Sequence, residues 1–201
     1  MNVSAAVLVV TLLAQGGRTS PEAPKGGLSR ASSDSFGKKL ELLEKFERDP
    51  KVKRAPVSVL ESELNSYVRF ALADKVPRGL RDLRIILQEG RLELRGLANL
   101  AEFSDLKDKT SGAGSFLSLL GGEVAVEVLA GFKSDRGFGQ FEILSAQVGP
   151  VPLSASVVAD IVAKATVDAS RPDGFDIRAP FRLPYSVKRI KTLRALATIE
   201  Y

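Results

Sequence analysis

The chain of 201 residues contains no cysteine, no histidine and no tryptophan. Each absence removes a class of chemistry. Without cysteine there is no thiolate nucleophile and no disulfide framework, so stability outside a cell would rest on the core alone. Without histidine there is no Ser-His-Asp relay. Zinc sites and haem ligation lose their usual ligands as well. What remains is globular in type, 44% hydrophobic and 26% charged. Its length suits one domain of ordinary size with a leader or tail to spare. The formal charge of +5 favours acidic partners: anionic membrane surfaces, acidic glycolipids or nucleic acid.

The first residues bear on the compartment. "MNVSAAVLVVTLLAQGG" carries an apolar run over 5–14, closed by Ala14-Gln15-Gly16, which fits the small-x-small pattern of a signal-peptidase site. The segment before the run lacks Lys and Arg, a departure from the usual leader. The run is too short for a bilayer-spanning helix, which needs about 20 residues. The reading is a cleaved signal peptide over 1–16 and a periplasmic or secreted product. No cysteine follows the run, so a lipoprotein anchor is excluded. Residues 16–35 are rich in Gly, Ser and Pro and read as linker. Phe36, Leu40, Leu43 and Phe46 then recur at helical spacing until Asp49-Pro50 stops them. The expected division is 17–56 as a linker with a short amphipathic helix, either a lid or a spacer, and 57–201 as one α+β domain.

The clearest helix is expected over 58–75, "SVLESELNSYVRFALADK", with Ser58 and Glu61 as a capping box. Leu60, Leu64, Tyr67, Val68, Ala71 and Leu72 fall on one stripe of it. After Pro77 the period becomes two. Leu83, Ile85 and Leu87 alternate outward to a Glu89-Gly90 turn, and Leu92 and Leu94 return. A polar loop at 104–115 and a short helical turn at 116–121 lead into a long strand carrying Val124, Val126, Val128, Ala130 and Phe132. The strand over 138–147 returns antiparallel, and a second helix over 154–166 shows Val157, Val158, Ile161, Val162 and Ala165 on its apolar face.

The stretch "PYSVKRIKTLRALATIEY" at 184–201 echoes "PRGLRDLRIILQEGRLEL" at 77–94. Both begin with proline, carry paired basic residues and close on an apolar-Glu-apolar run. Each would follow a helix, which suggests an internal helix-hairpin repeat, although "LRALA" stands where "LQEGR" turns. The fold class is therefore α+β. A long amphipathic helix and a second helix are expected against one face of a curved antiparallel sheet.

No residue set names a reaction. Asp105 with Asp108, and Asp173 with Asp176, lack the dense oxygen spacing of a calcium loop. Glu61 and Glu63 stand two apart on a helix and point in different directions. The glycines at 112, 114, 121 and 122 form no phosphate-binding fingerprint. Neither catalysis, metal nor cofactor is expected. Arg178, Arg182, Lys188, Arg189, Lys191 and Arg194 gather near the end of the chain, either as a solvated strand face or as a contact for anionic lipid head groups. Nucleic acid would call for interleaved aromatics, and only Phe181 and Tyr185 stand nearby.

Apolar residues occur on both faces of the central strands, with Ala125, Leu129 and Gly131 opposite the valine series. Such lining suits a lipid cavity or an ordinary two-layer core. Taken together, "VSVLESELNSYVRFAL", the Pro-linked hairpin, the long strand pair, "VPLSASVVADIV" and "PFRLPYSVKRIK" resemble a group of small exported bacterial proteins. In helix and curved-sheet order these are similar to the single-module tubular lipid-binding (TULIP-like) proteins of the cell envelope, of LmeA and YceB type. The resemblance covers 57–201 and implies a helix wrapped by a bent sheet with an apolar groove between them. It implies a non-enzymatic protein that binds or shuttles a lipid. Leu60, Leu64, Tyr67, Val68 and Leu72 would line the groove with Val157, Val158 and Ile161. Arg182, Lys188, Arg189 and Lys191 would meet anionic head groups. The alternatives are an envelope interaction or scaffold module with a packed core and no ligand, and a carboxylate-dependent hydrolase. The sequence leaves any envelope protein partner and the oligomeric state open.

Overall fold

The computed structural model of the protein describes residues 27–49, 51–76, 79–99, 122–167 and 171–201. The leader expected over 1–16, the loop at 104–115 and the turn at 116–121 lie outside them. Among the described residues the order is α1 (Arg30–Arg48), β1 (Val57–Leu60), α2 (Glu61–Phe70), β2 (Leu80–Gln88), β3 (Arg91–Asn99), β4 (Glu123–Asp135), β5 (Phe138–Val148), β6 (Val151–Pro152), α3 (Ala155–Ala165), β7 (Phe181–Arg182), β8 (Arg189–Leu193) and β9 (Leu196–Glu200). Strands β2, β3, β4 and β5 form an antiparallel meander, and the short β6 and β7 pair with opposite ends of β5. A second, three-stranded sheet has the order β1-β9-β8. The fold class is α+β, as the alternation of periods suggested.

Register explains the layering. Ile85 and Leu87 pair with Leu94 and Leu92, Leu92 pairs with Ala130, and Phe132 pairs with Phe141. Since side chains alternate across a strand, these residues share one face. That face carries the main core, joined there by Leu64 and Val68 of α2 and Ala159 of α3. Bulges in β2 and β5 interrupt the pairing and bend both strands.

Two expectations need correction. The helix expected over 58–75 runs only from Glu61 to Phe70, and Ser58 caps nothing because it lies in β1. Val57 and Val59 are buried there and pair with Ile199 and Ala197, so long-range pairing overrides the local helical pattern. The cap comes from Glu63 instead, whose Oε2 accepts from the Leu60 N–H at 2.8 Å. Secondly, the stretch read as linker to residue 35 is already helical from Arg30, with the Ser29 hydroxyl accepting from the Ser32 N–H at 3.0 Å. Helix α1 is docked. Phe36, Leu40, Leu43 and Phe46 are all buried in the main core, and Phe36 meets the Tyr67 ring edge-on at 4.9 Å.

The two echoing segments share a helix-then-hairpin order but not a sheet. The first hairpin, β2–β3, belongs to the large sheet and turns at Glu89-Gly90; the second, β8–β9, belongs to the small one and turns at Arg194-Ala195.

Glu63 ties α1 to α2 and gives a pH prediction. Its carboxylate, almost fully buried, accepts from Lys39 Nζ at 2.5 Å and from Ser35 Oγ at 2.6 Å, besides the Leu60 amide. Burial pushes its pKa up, but the Lys39 and Ser35 hydrogen bonds with the Leu60 amide outweigh that and hold it below the ordinary value of 4.5. The unfolded chain therefore takes up this proton first as pH falls. The contribution of Glu63 is complete above about pH 4.5 and is lost as pH drops through the lower folded value. Urea melts of the wild type and Glu63→Gln at pH 7 and 3.5 should show the variant less stable at pH 7 and the gap narrowing at pH 3.5. A gap independent of pH would show that the carboxylate charge is not what Lys39 reads.

Candidate functional site

Helix α2 lies along β2 at the edge of the large sheet, ends at Phe70, and hands over to a turn at 71–76. Between that turn and the start of β2 opens a cleft of about 500 Å³, lined by Val68, Ala73, Val76, Leu80 and Leu83, with Arg69, Arg81 and Asp82 also on its walls. The local sequence creates it. A bulge separates Arg81 from Arg84, with Asp82 at φ 49°, so β2 departs from ideal pairing just there. Leu83 then lies across Gly96 of β3, where an added Cβ would come within 2.8 Å of Leu83 Cδ2 and 3.0 Å of the Arg81 carbonyl. Glycine at 96 is what lets Leu83 lie flat on the sheet.

A second apolar patch adjoins the cleft at Leu80. Leu80 pairs with Ala98, Ala98 with Val124, and Val126 with Val148. With Leu153 these form a second, smaller apolar cluster in which Ala98 and Val148 are buried and the others half-buried. The polar rim is paired in solvent: Arg69 with Asp82 at 3.1 Å and Arg81 with Glu123 at 2.9 Å. Exposed pairs of this kind contribute little to stability, so the rim is free to exchange partners.

Of the eight residues expected to line a groove, Val68 lines this cleft. Leu64 is fully buried in the main core, and Val158 is buried too. Tyr67 and Leu72 pack against that core half-buried, while Leu60, Val157 and Ile161 are half-buried elsewhere. Helix α2 lies against β2 and helix α3 against β5, and both contribute to the main core. The cleft residues Ala73, Val76 and Leu80 were not singled out from the sequence. The available signal was the apolar pair Val76 and Leu80 flanking Pro77, where a helical stripe gives way to a strand.

No family model, curated protein or solved structure matches the chain. The site must therefore be read from its own chemistry. Glu61 and Glu63 diverge as expected: Glu61 accepts from the Leu87 N–H at 2.8 Å, whereas Glu63 faces Lys39. Among the described residues no cluster of acidic groups could hold a metal ion. None of the described helices is long and apolar enough to cross a membrane.

The basic residues divide. Arg189 binds Asp135 at 2.5 Å and Lys191 binds Glu200 at 2.6 Å, with Arg189 also 3.9 Å from Glu200. The Arg189 hydrogen bond holds the Asp135 carboxyl below its usual range. Arg182 and Lys188 are exposed and have no ion pair among the described residues. Half of the expected head-group contact is thus engaged in the fold, and half projects into solvent.

Proposed function

We propose that the protein is a non-enzymatic lipid-binding protein that takes an acyl chain in the cleft beside α2. Periplasmic or secreted localisation, by way of the leader over 1–16, belongs to the same reading. The observation that carries it is the apolar lining of the cleft by Val68, Ala73, Val76, Leu80 and Leu83, with Leu80 shared by the smaller apolar cluster beside it. The cleft's volume of about 500 Å³ falls within the range of about 300–1,000 Å³ usual for small-molecule sites. Its mouth carries Arg69, Arg81 and Asp82, so a chain would enter past groups able to meet a polar head. A likeness to the tubular lipid-binding proteins belongs to the same proposal. The carboxylates Glu61 and Glu63 have structural partners, which speaks against a carboxylate-dependent hydrolase built on them.

Ala73 offers the cleanest test, because it is exposed and lines the cleft. Ala73→Trp should fill the cleft and leave the core untouched. A fluorescent fatty acid titrated into the full chain should bind the variant about tenfold more weakly, equivalent to the loss of about 1.4 kcal/mol of apolar contact. Unchanged binding by a folded variant would remove the cleft from consideration. Absence of binding to wild type would favour the packed interaction module, a reading supported by the full burial of Leu64.

A further inference from the structure

At the end of the large sheet away from the cleft, the β4–β5 turn collects an unusual set of side chains. Phe138 is 53% exposed, the largest exposure of any aromatic among the described residues. Register places Arg182 of β7 directly opposite Phe138, so the two are cross-strand neighbours on one face. Arg136 stands at the turn itself with its side chain 92% exposed, and its 3.4 Å contact with Asp135 does not draw it back to the surface. Lys188 is brought alongside by its own backbone, whose carbonyl accepts from the Gly137 N–H at 2.9 Å.

The tip is built rather than frayed. The Leu183 N–H donates to the Gly137 carbonyl at 2.8 Å, and the Lys188 N–H donates to the Glu200 carbonyl at 2.9 Å. Between them Tyr185 and Ser186 both adopt the left-handed region, at φ 57° and 58°. Residues other than glycine hold that conformation only where the surroundings impose it, and here Leu183, Tyr185 and Val187 are buried on either side. The chain accepts local strain to deliver Arg182 and Lys188 to one place. The acidic groups facing the tip are Asp135, already paired with Arg189, and Glu200, held by Lys191.

An exposed aromatic beside exposed cations has a fitting complement. A bilayer interface buries an apolar side chain such as Phe at the acyl boundary, and an anionic leaflet attracts neighbouring Arg and Lys. We infer that the β4–β5 turn docks the protein on an anionic bilayer, with Phe138 entering the interface and Arg136, Arg182 and Lys188 meeting lipid phosphates. The choice of a bilayer as partner rests on the lipid-binding reading above, but the surface is separate from the cleft. Docked this way, the cleft lies at the end of the sheet away from the bilayer that the tip holds.

Sedimentation of the full chain with vesicles tests it. Wild type should co-sediment with phosphatidylglycerol vesicles at low salt, far less with phosphatidylcholine vesicles, and lose binding at 0.5 M salt as the charges are screened. Removing one cation should weaken partition about fivefold, and Arg182→Glu with Lys188→Glu about twentyfold or more. Phe138→Ser should weaken it roughly tenfold. All four positions are exposed, so circular dichroism should show an unchanged fold. Ala73→Trp separates the two readings: it should bind fatty acid about tenfold more weakly and keep vesicle binding. Wild-type affinity in both the double charge variant and Phe138→Ser would overturn the docking surface. So would failure of wild type to bind anionic vesicles, even if an acidic polypeptide were captured instead.

Discussion

Replacing Phe36 with alanine should destabilise the protein by about 3–5 kcal/mol and lower its melting temperature by about 10 °C. Helix α1 has only modest means to hold itself together: a Ser29 cap and one exposed Arg48–Glu44 pair at 3.0 Å. Its stability comes from docking. Phe36 is 0% exposed and presses its ring edge against Tyr67, while at the other end of the helix Phe46 meets the Tyr201 ring at 5.1 Å and perpendicular. Truncating Phe36 removes the apolar transfer term and leaves a void between α1 and α2. Leu42, on the same helix but 39% exposed, is the control; Leu42→Ala should change stability by no more than about 0.5 kcal/mol. If α1 were only a spacer, the two variants would behave alike.

Asn65→Ala should cost about 2–5 kcal/mol, by a different mechanism. Strand β2 is the edge of the large sheet, and an edge presents backbone groups with no strand to pair them. Here α2 supplies the partner. Asn65 Oδ1 accepts from the Ile85 N–H at 2.7 Å, and Nδ2 donates to the Ile85 carbonyl at 2.7 Å and to the Glu61 carbonyl at 2.9 Å. Glu61 takes the Leu87 N–H, and the Ala195 N–H donates to the Leu87 carbonyl at 3.1 Å. A side-chain amide thus does the work of a strand residue. With alanine at 65, both polar groups of Ile85 stay buried and unpaired, at about 1–3 kcal/mol each. Urea melts would measure the loss, and hydrogen exchange would locate it: the Ile85 amide should exchange much faster while Phe132, deep in the sheet, changes only with global stability. Unchanged protection at Ile85 would mean that another group covers the edge.

Much of this architecture was legible. Alternation at 83–94 and 124–132 marked the strands of the meander, although Ala125, Leu129 and Gly131 made it incomplete in the central pair. The spacings of Phe36, Leu40, Leu43 and Phe46 marked α1, yet an amphipathic stripe looks the same whichever surface it meets, so docking could not be read. Ser58 and Glu61 mimicked a capping box because the motif is short; what decides is the pairing of Val57 and Val59 with residues near 197–199, which no local window contains. The cleft was harder still. It exists because a bulge, a glycine on the neighbouring strand and the end of a helix coincide, and only register brings Leu83 over Gly96. The tip shows the same limit. Arg182 and Lys188 stood out as cations, but Phe138 became their neighbour only once β7 was placed beside β5.

The measurement that bears most directly on the central claim is native mass spectrometry of the full chain, purified from the cells that make it, followed by organic extraction and lipid identification. A stoichiometric adduct that extracts as a phospholipid, glycolipid or fatty acid, and that Ala73→Trp diminishes, is the expected result. Protein that is free of adduct, and stays free after incubation with phosphatidylglycerol vesicles, would contradict it.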